Sequence, residues 1–363
     1  MIRRPNAKLS AVPAASALAL GLLGGSAAMA APPANTTVAF LMPDQGSTRY
    51  EEHDFPGFKA EMEKLCPTCK VLYQNANGDA TRQQQQFNSV VQQGAKAIVL
   101  DPVDSSTAVS FVKQAQSRGI KVIAYDRPIP GTPADFYVSF DNEEIGKVIA
   151  KSLVDHLKAE KVSASDAGLL QVNGSPTDAA AGLIKRGIHE GLAEGGYPTL
   201  AEYDTPDWQP PKAQQWVGGQ VSRFGKKIVG VVAANDGTGG AAIAAFKAAG
   251  VNPVPPVTGN DATIAGLQLI ISGDQYNTIS KPSEIVGGAA ADAASALLGG
   301  EKPKADTTLF NTPTKLFKPT LVTAENLKAE IVDKQINGKP IESASVLCTG
   351  RYAEGCKKLG ITP

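Results

Sequence analysis

The sequence lacks a charge excess of either sign: 35 Lys and Arg stand against 35 Asp and Glu in 363 residues. No basic cluster interrupts that balance, which argues against a nucleic-acid partner. Histidine is scarce, and His53, His156 and His189 show no ligand spacing. A zinc site would need four ligands gathered from both ends of the chain, so no metal is expected. Long apolar runs are missing after the N-terminal region, so no membrane span is expected there. Cysteine is limited to Cys66, Cys69, Cys348 and Cys356. The first pair, CPTC, lies between a helical run and the strand KVLY. A redox CxxC opens a helix after a strand, so this placement is wrong for thiol catalysis.

The N-terminus has the parts of an export signal. MIRRPNAK is basic, AVPAASALALGLLGG is apolar, and AMA at Ala28–Ala30 offers a small-x-small cleavage pattern. A membrane anchor would need about 20 strongly apolar residues. No cysteine follows the cut to carry a lipid, and Arg3-Arg4 lacks the rest of a twin-arginine context. Residues 1–30 are therefore expected to be removed, leaving an exported, soluble chain. In an oxidising compartment, Cys66–Cys69 and Cys348–Cys356 are expected to form two short local disulfides.

What is present is alternation. TVAFLM, KVLYQNA, AIVLDPV, KVIAYD, FYVSFDN, GLLQVNG, TLAEYD and KIVGVVAAND are strand-like, and amphipathic stretches separate most of them. Strands alternating with helices of 10–15 residues specify βαβ units and parallel sheets with helices on both faces. There are too many units for one sheet. The expected fold is α/β: two similar lobes, each a parallel sheet with helices on both faces, joined by short hinge strands. The expected division gives 37–141 with about 282–306 to the N-terminal lobe, and 142–281 with about 307–363 to the C-terminal lobe.

In open parallel sheets, ligands sit beyond the carboxyl ends of the strands. The residues there are Asp44 and Arg49, Asp126 and Arg127, Ser175 to Asp178, Asp207 and Trp208, Asn235 and Asp236, Asp261, and Lys281. Acids, amides and bases at strand tips suit a neutral polyol, whose hydroxyls both donate and accept. Arg grips two oxygens at once. The apolar face of a sugar ring lies flat on an aromatic side chain, which Trp208 can supply. Mixed Arg and Asp would keep the pocket near neutral. Each residue also has a plainer reading: Asp and Asn after a strand cap helices and form turns. The coincidence at strand ends carries the inference.

The order AYDRPI, YVSFDNE, GSPTDAAA, DW, AAND, GNDA, SKP resembles the periplasmic sugar-binding proteins of bacterial ABC importers. These are the ribose/galactose-binding type with the type I periplasmic binding fold, and the likeness is greatest to the D-xylose-binding branch. It runs from about 37 to 325. The resemblance implies that Asp126 and Arg127 bind ring hydroxyls, that Trp208 stacks on the sugar, and that Asn235 and Asp261 are further hydroxyl ligands. It places Lys281 at the hinge, Arg49 in the first loop, and Asp178 after the GSP turn. It also implies a monomer that closes on one monosaccharide, most closely D-xylose, and meets a membrane permease and in some cases a chemoreceptor. No cofactor and no chemistry are implied. The sequence departs at Ala179 and Ala180, where the xylose branch has asparagines, which leaves room for a hexose carbon or for water.

Two rivals compete. Gly237, Gly239 and Ala242 in DGTGGAA have a GxGxxA spacing with Asp261 downstream, superficially a dinucleotide fingerprint. It falls in the second lobe rather than at the first βα turn, and the glycines are expected to ease a tight strand-to-helix turn. The acids Asp126, Asp178 and Asp261 would also suit a glycosidase, but basic neighbours are expected to hold their pKa values down.

Overall fold

The apolar runs are buried on both faces, and among the described residues they build two main sheets, of seven and three strands, with two short two-stranded ribbons beside them. The computed structural model describes residues 1, 2, 32–193 and 195–362. The expected signal cleavage site and the apolar stretch before it lie outside them. In the first lobe, β1 (Thr37–Met42), β2 (Lys70–Asn75), β3 (Ala95–Leu100), β4 (Lys121–Tyr125) and β5 (Phe136–Phe140) are parallel, in the order β2-β1-β3-β4-β5. Helices α1 (Phe55–Leu65), α2 (Ala80–Gln92) and α3 (Ala108–Ser117) connect them. Successive residues of a strand face opposite sides of its sheet. Val38, Phe40 and Met42 accordingly meet Phe58 and Met62 of α1, while Ala39 and Leu41 meet Phe87 of α2 and Phe111 of α3.

The second lobe follows through α4 (Asn142–Ala159), β6 (Gly168–Asn173), α5 (Ala179–Ala193), β7 (Thr199–Asp204), α6 (Pro210–Phe224), β8 (Ile228–Ala233), α7 (Asp236–Ala248), α8 (Ile264–Ile271) and β9 (Asn277–Ser280). Strands β7-β6-β8 are parallel. Leu169 and Val232 face α4 and α5, whereas Leu170, Val172 and Val231 face α6 and α7. An extended stretch, 256–261, joins this sheet to β9. Val231 N donates to Pro256 O at 2.9 Å, and Tyr276 N donates to Val257 O at 2.8 Å.

The chain then returns to the first lobe, where α9 (Ser283–Leu298) packs beside α1. Here the expected lobe division needs correction. β10 (Thr307–Leu309) and β11 (Thr312–Phe317) were assigned to the C-terminal lobe, but β11 pairs parallel with β5 and β10 antiparallel with β11. They extend the first sheet, and the chain changes lobes only at 318–319. β12 (Thr320–Thr323) then pairs antiparallel with β9. Three short connections thus join the lobes, at 141, 281–282 and 318–319.

A C-terminal arm carries β13 (Gln335–Ile336), β14 (Lys339–Pro340), α10 (Ala344–Leu347) and α11 (Ala353–Lys358). It packs on α8, burying Ile331, Leu347 and Ile361 against Leu267 and Ile270. The disulfide Cys348–Cys356 closes a loop in this arm, and Cys66–Cys69 closes the turn between α1 and β2. Among the described residues no helix is long and apolar enough to cross a membrane.

Candidate functional site

One cleft lies between the carboxyl ends of the two sheets, where strand tips converge as the open-sheet rule requires. All eight candidates, Arg49, Asp126, Arg127, Asp178, Trp208, Asn235, Asp261 and Lys281, line it. The space between these side chains, open solvent at the mouth included, is about 430 Å³.

Asp126 follows β4 with φ of 54°, a left-handed conformation that costs a non-glycine residue about 1–3 kcal/mol. The surroundings hold it there. Its carbonyl accepts from Tyr137 OH at 2.8 Å and Ser139 Oγ at 2.9 Å, and its N–H donates to Val138 O at 3.0 Å. The carboxylate is thereby aimed at Arg49, whose Nη2 donates to Oδ2. Arg49 also donates through Nη1 to Asp54 Oδ1 at 2.9 Å and Ser283 Oγ at 3.2 Å. Burial alone would raise the Asp126 carboxyl, but Arg49, Lys281 and Arg127 together hold it below the usual carboxylate range.

Arg127 reaches across the cleft. Its Nη2 donates to Asp44 Oδ2 at 2.7 Å, and its Nε stands 3.3 Å from Asp178 Oδ2 of the second lobe. Asp178 in turn accepts from Trp208 Nε1 at 2.9 Å through Oδ2, and from Ala180 N at 2.7 Å through Oδ1. It therefore both orients the tryptophan and caps α5. The indole lies over Gly174, where any Cβ would sit 2.0 Å from the ring. Asn235 commits Oδ1 to the cap of α7, accepting from Thr238 N at 2.9 Å, which leaves Nδ2 able to donate to a ligand. Lys281 Nζ lies 2.7 Å from Asp261 Oδ1.

The expected near-neutrality is only local. Asp44, Asp126, Asp178 and Asp261 line the cleft with Arg49, Arg127 and Lys281, but Asp54 and Asp101 stand fully buried behind them. Burial raises Asp101 well above the carboxylate range despite Arg127, and raises Asp54 despite Arg49. Burial also raises Asp178 against Arg127. Basic neighbours therefore hold down Asp126 but not Asp178, which corrects the expectation for the acids as a set.

Sequence reasoning missed several lining residues: Ser47, Tyr50, Asn142, Ile184 and Asn260. Of the two alanines that depart from the xylose branch, Ala180 lines the cleft and Ala179 does not. Ile184 lies one turn after Ala180 on α5, so the pair makes an apolar wall. Three buried polar atoms among the lining residues have no hydrogen-bond partner: Arg49 Nε, Ser47 Oγ and Asn260 Oδ1. The glycine motif is also accounted for. Gly237, Gly239 and Ala242 sit inside α7 rather than in the turn before it. A Cβ on Gly239 would come within 2.7 Å of Thr258 O, so this glycine serves helix packing and not the expected tight turn.

The lobes touch on both sides of the cleft. Ser105 N donates to Thr177 O at 3.0 Å and Ala179 N to Ser105 Oγ at 3.2 Å. On the hinge side, His53 Nδ1 lies 2.8 Å from Glu284, and its Nε2 lies 2.8 Å from Glu342 of the C-terminal arm.

Comparison with known proteins agrees with this architecture. Residues 38–302 match the periplasmic binding protein domain. The chain is 34% identical over 271 residues to the D-xylose-binding periplasmic protein of Escherichia coli K12, covering 72% of this chain and 80% of the relative. It is 28% identical over 319 residues to the multiple sugar-binding periplasmic protein SbpA of Azospirillum brasilense, covering 82% and 88%. A solute-binding protein of an ABC transporter from Clostridium phytofermentans, solved with bound β-D-glucose, shares the fold with a TM-score of 0.77 at 23% identity, over 86% of this chain and all of that one. The chain belongs to the periplasmic binding protein family, with the type I fold.

Proposed function

We propose that this protein binds one monosaccharide, D-xylose, in the periplasm and delivers it to the membrane permease of an ABC importer. The observation that carries the reading is the joint placement of charged donors and acceptors from both lobes around Trp208 in one cleft. Arg49, Arg127 and Lys281 supply donors, Asp126, Asp178 and Asp261 supply acceptors, and Asn235 adds an amide. Charge-assisted bonds of this kind are the strong ones for hydroxyl groups. Trp208, fixed through Asp178, offers a face for the C–H side of the ring. Closure at three short connections then brings the lobes together over the sugar. The closed monomer is the form a permease, and equally a chemoreceptor, would meet. Binding without turnover is the reading that the sugar-binding relatives support. The sugar-binding relatives support the ligand class.

A second reading rests on the wall formed by Ala180 and Ile184. It admits another aldose: glucose or galactose, whose extra carbon fills the space beside Ala180, or arabinose, a pentose that differs from xylose in the configuration of its hydroxyls. Isothermal titration with D-xylose, L-arabinose, D-glucose and D-galactose separates the two readings. Tightest binding of xylose supports the first. Hexose binding that is selectively lost in Ala180→Leu supports the second, and heat from none of the four contradicts both.

A further inference from the structure

Asn260 and Asp261 reach the cleft from a loop whose backbone is unfavourable: Asp261 has φ of 101° and Ala262 of 47°. Two consecutive non-glycine residues with positive φ persist only where the surroundings over-determine them. The surroundings here converge on one carboxylate, Asp236, which is 4% exposed and does not line the cleft. Its Oδ2 accepts from Thr263 N at 2.8 Å and Thr263 Oγ1 at 3.0 Å. Its Oδ1 accepts from Gln275 Nε2 at 2.8 Å and Thr278 Oγ1 at 2.7 Å. Its N–H donates to Asn260 O at 2.9 Å, and the same Thr278 Oγ1 accepts from Ala262 N at 3.1 Å. The carboxylate fits because two neighbours have no side chain: a Cβ on Gly259 would lie 2.2 Å from Asp236 Oδ1, and one on Gly266 2.3 Å from its Oδ2.

We propose that Asp236 is a positioning residue for the ligand, straining the loop 259–263 into the conformation that presents Asn260 and Asp261 to the sugar. The inference rests on the sugar-binding reading above. All four side-chain contacts are made by donors, so an ionised carboxylate satisfies them and a protonated one loses an acceptor. Burial and then the nearby Asp261 push the Asp236 carboxyl up to about 7, so the strap titrates near neutral pH. The charged groups around it are few. Asp261 lies on the loop, Lys281 follows β9 and pairs with Asp261, and Asp274 after α8 pairs with Lys247 of α7.

The test is titration calorimetry of the wild type and Asp236→Asn with D-xylose and D-glucose at pH 5.5, 7 and 8.5, with unfolding midpoints measured without sugar. Asparagine is isosteric and its remaining oxygen keeps the two Thr263 donors, and the unfolding midpoints check that the variant folds. The wild type should bind its sugar about tenfold more weakly at pH 5.5 than at 8.5, about one pKa unit of coupling. Asp236→Asn should bind weakly at every pH, with that part of the pH dependence gone. Affinity within twofold of the wild type at pH 8.5, or an unchanged pH profile, would overturn the proposal. Burial also raises Asp178, Asp101 and Asp54, so the profile is read as the difference between wild type and variant. Thr278→Val, which removes one donor to Asp236 and the acceptor for Ala262 N, is measured beside it, and unchanged affinity in that variant would also overturn the proposal. A wild type that binds neither sugar would instead overturn the reading on which the proposal rests.

Discussion

Asp178 of the second lobe stands 3.3 Å from Arg127 of the first, and the same carboxylate oxygen accepts from Trp208 Nε1 at 2.9 Å. One acid therefore links the two lobes and orients Trp208, the aromatic proposed to stack on the sugar. Replacing Arg127 with Met should separate the two roles, because Trp208 keeps its partner while the cross-lobe contact is lost. Hydrogen bonds to charged groups contribute about 1.5–3 kcal/mol, so sugar affinity should fall about 10- to 150-fold. Calorimetry of Arg127→Met checks this. An affinity within threefold of the wild type would show that the pair is not part of the binding machinery.

Trp208 is one of two tryptophans in the chain, the other being Trp216, which stacks on Tyr203 away from the cleft. Sugar addition should change the emission of the wild type and leave Trp208→Phe nearly unchanged. Trp208→Ala should weaken binding about tenfold or more, since it removes the stacking face and its apolar area. A full emission change in Trp208→Phe would place the sugar elsewhere.

Tyr137 OH holds the Asp126 carbonyl jointly with Ser139 Oγ. Tyr137→Phe removes one of the two donors, so the expected loss of stability is about 0.5–1.5 kcal/mol, the net value of one such bond. Sugar affinity should fall with it, because the aim of the Asp126 carboxylate depends on a backbone conformation that is unfavourable by itself. Denaturant unfolding and calorimetry on the same variant measure both effects.

His53 gives stability a pH signature. Burial lowers its pKa, but hydrogen bonds to Glu284 and Glu342 prevail and carry it from 6.5 to about 10. A histidine whose folded pKa is raised stabilises the fold fully below its unfolded pKa, and the contribution is lost as pH rises through the folded one. The wild type should therefore unfold at a higher temperature than His53→Gln at pH 6, with the gap closing as pH passes about 10. A gap that is constant from pH 6 to 10.5 would contradict the ion-pair origin.

The strand tips were legible in the sequence because acids, amides and bases interrupt apolar runs abruptly, and the tips converge on the cleft because parallel strands share a carboxyl end, although Asp101 and Asp236 do not line it. Ile184 was legible in principle, one helical turn after Ala180, but an apolar residue in an apolar helix gives no sign of facing a ligand. Asp101 in AIVLDPV reads like any other strand tip; only the tertiary fold buries it behind Arg127. Asp236 was visible beside Asn235, yet its partners come from 263, 275 and 278, and no local pattern predicts that convergence. The misplaced boundary at 307 has the same origin. TPTKLF is evidently a strand, but its pairing with β5 depends on a contact across nearly half the chain.

The central claim, that the cleft between the lobes holds a monosaccharide, is tested most directly by titrating the protein with D-xylose, L-arabinose, D-glucose and D-galactose in a calorimeter at pH 8. Saturable one-to-one binding of at least one of them, weakened at least tenfold in Arg127→Met, is the expected result. No heat from any of the four, or binding that Arg127→Met leaves untouched, would contradict it.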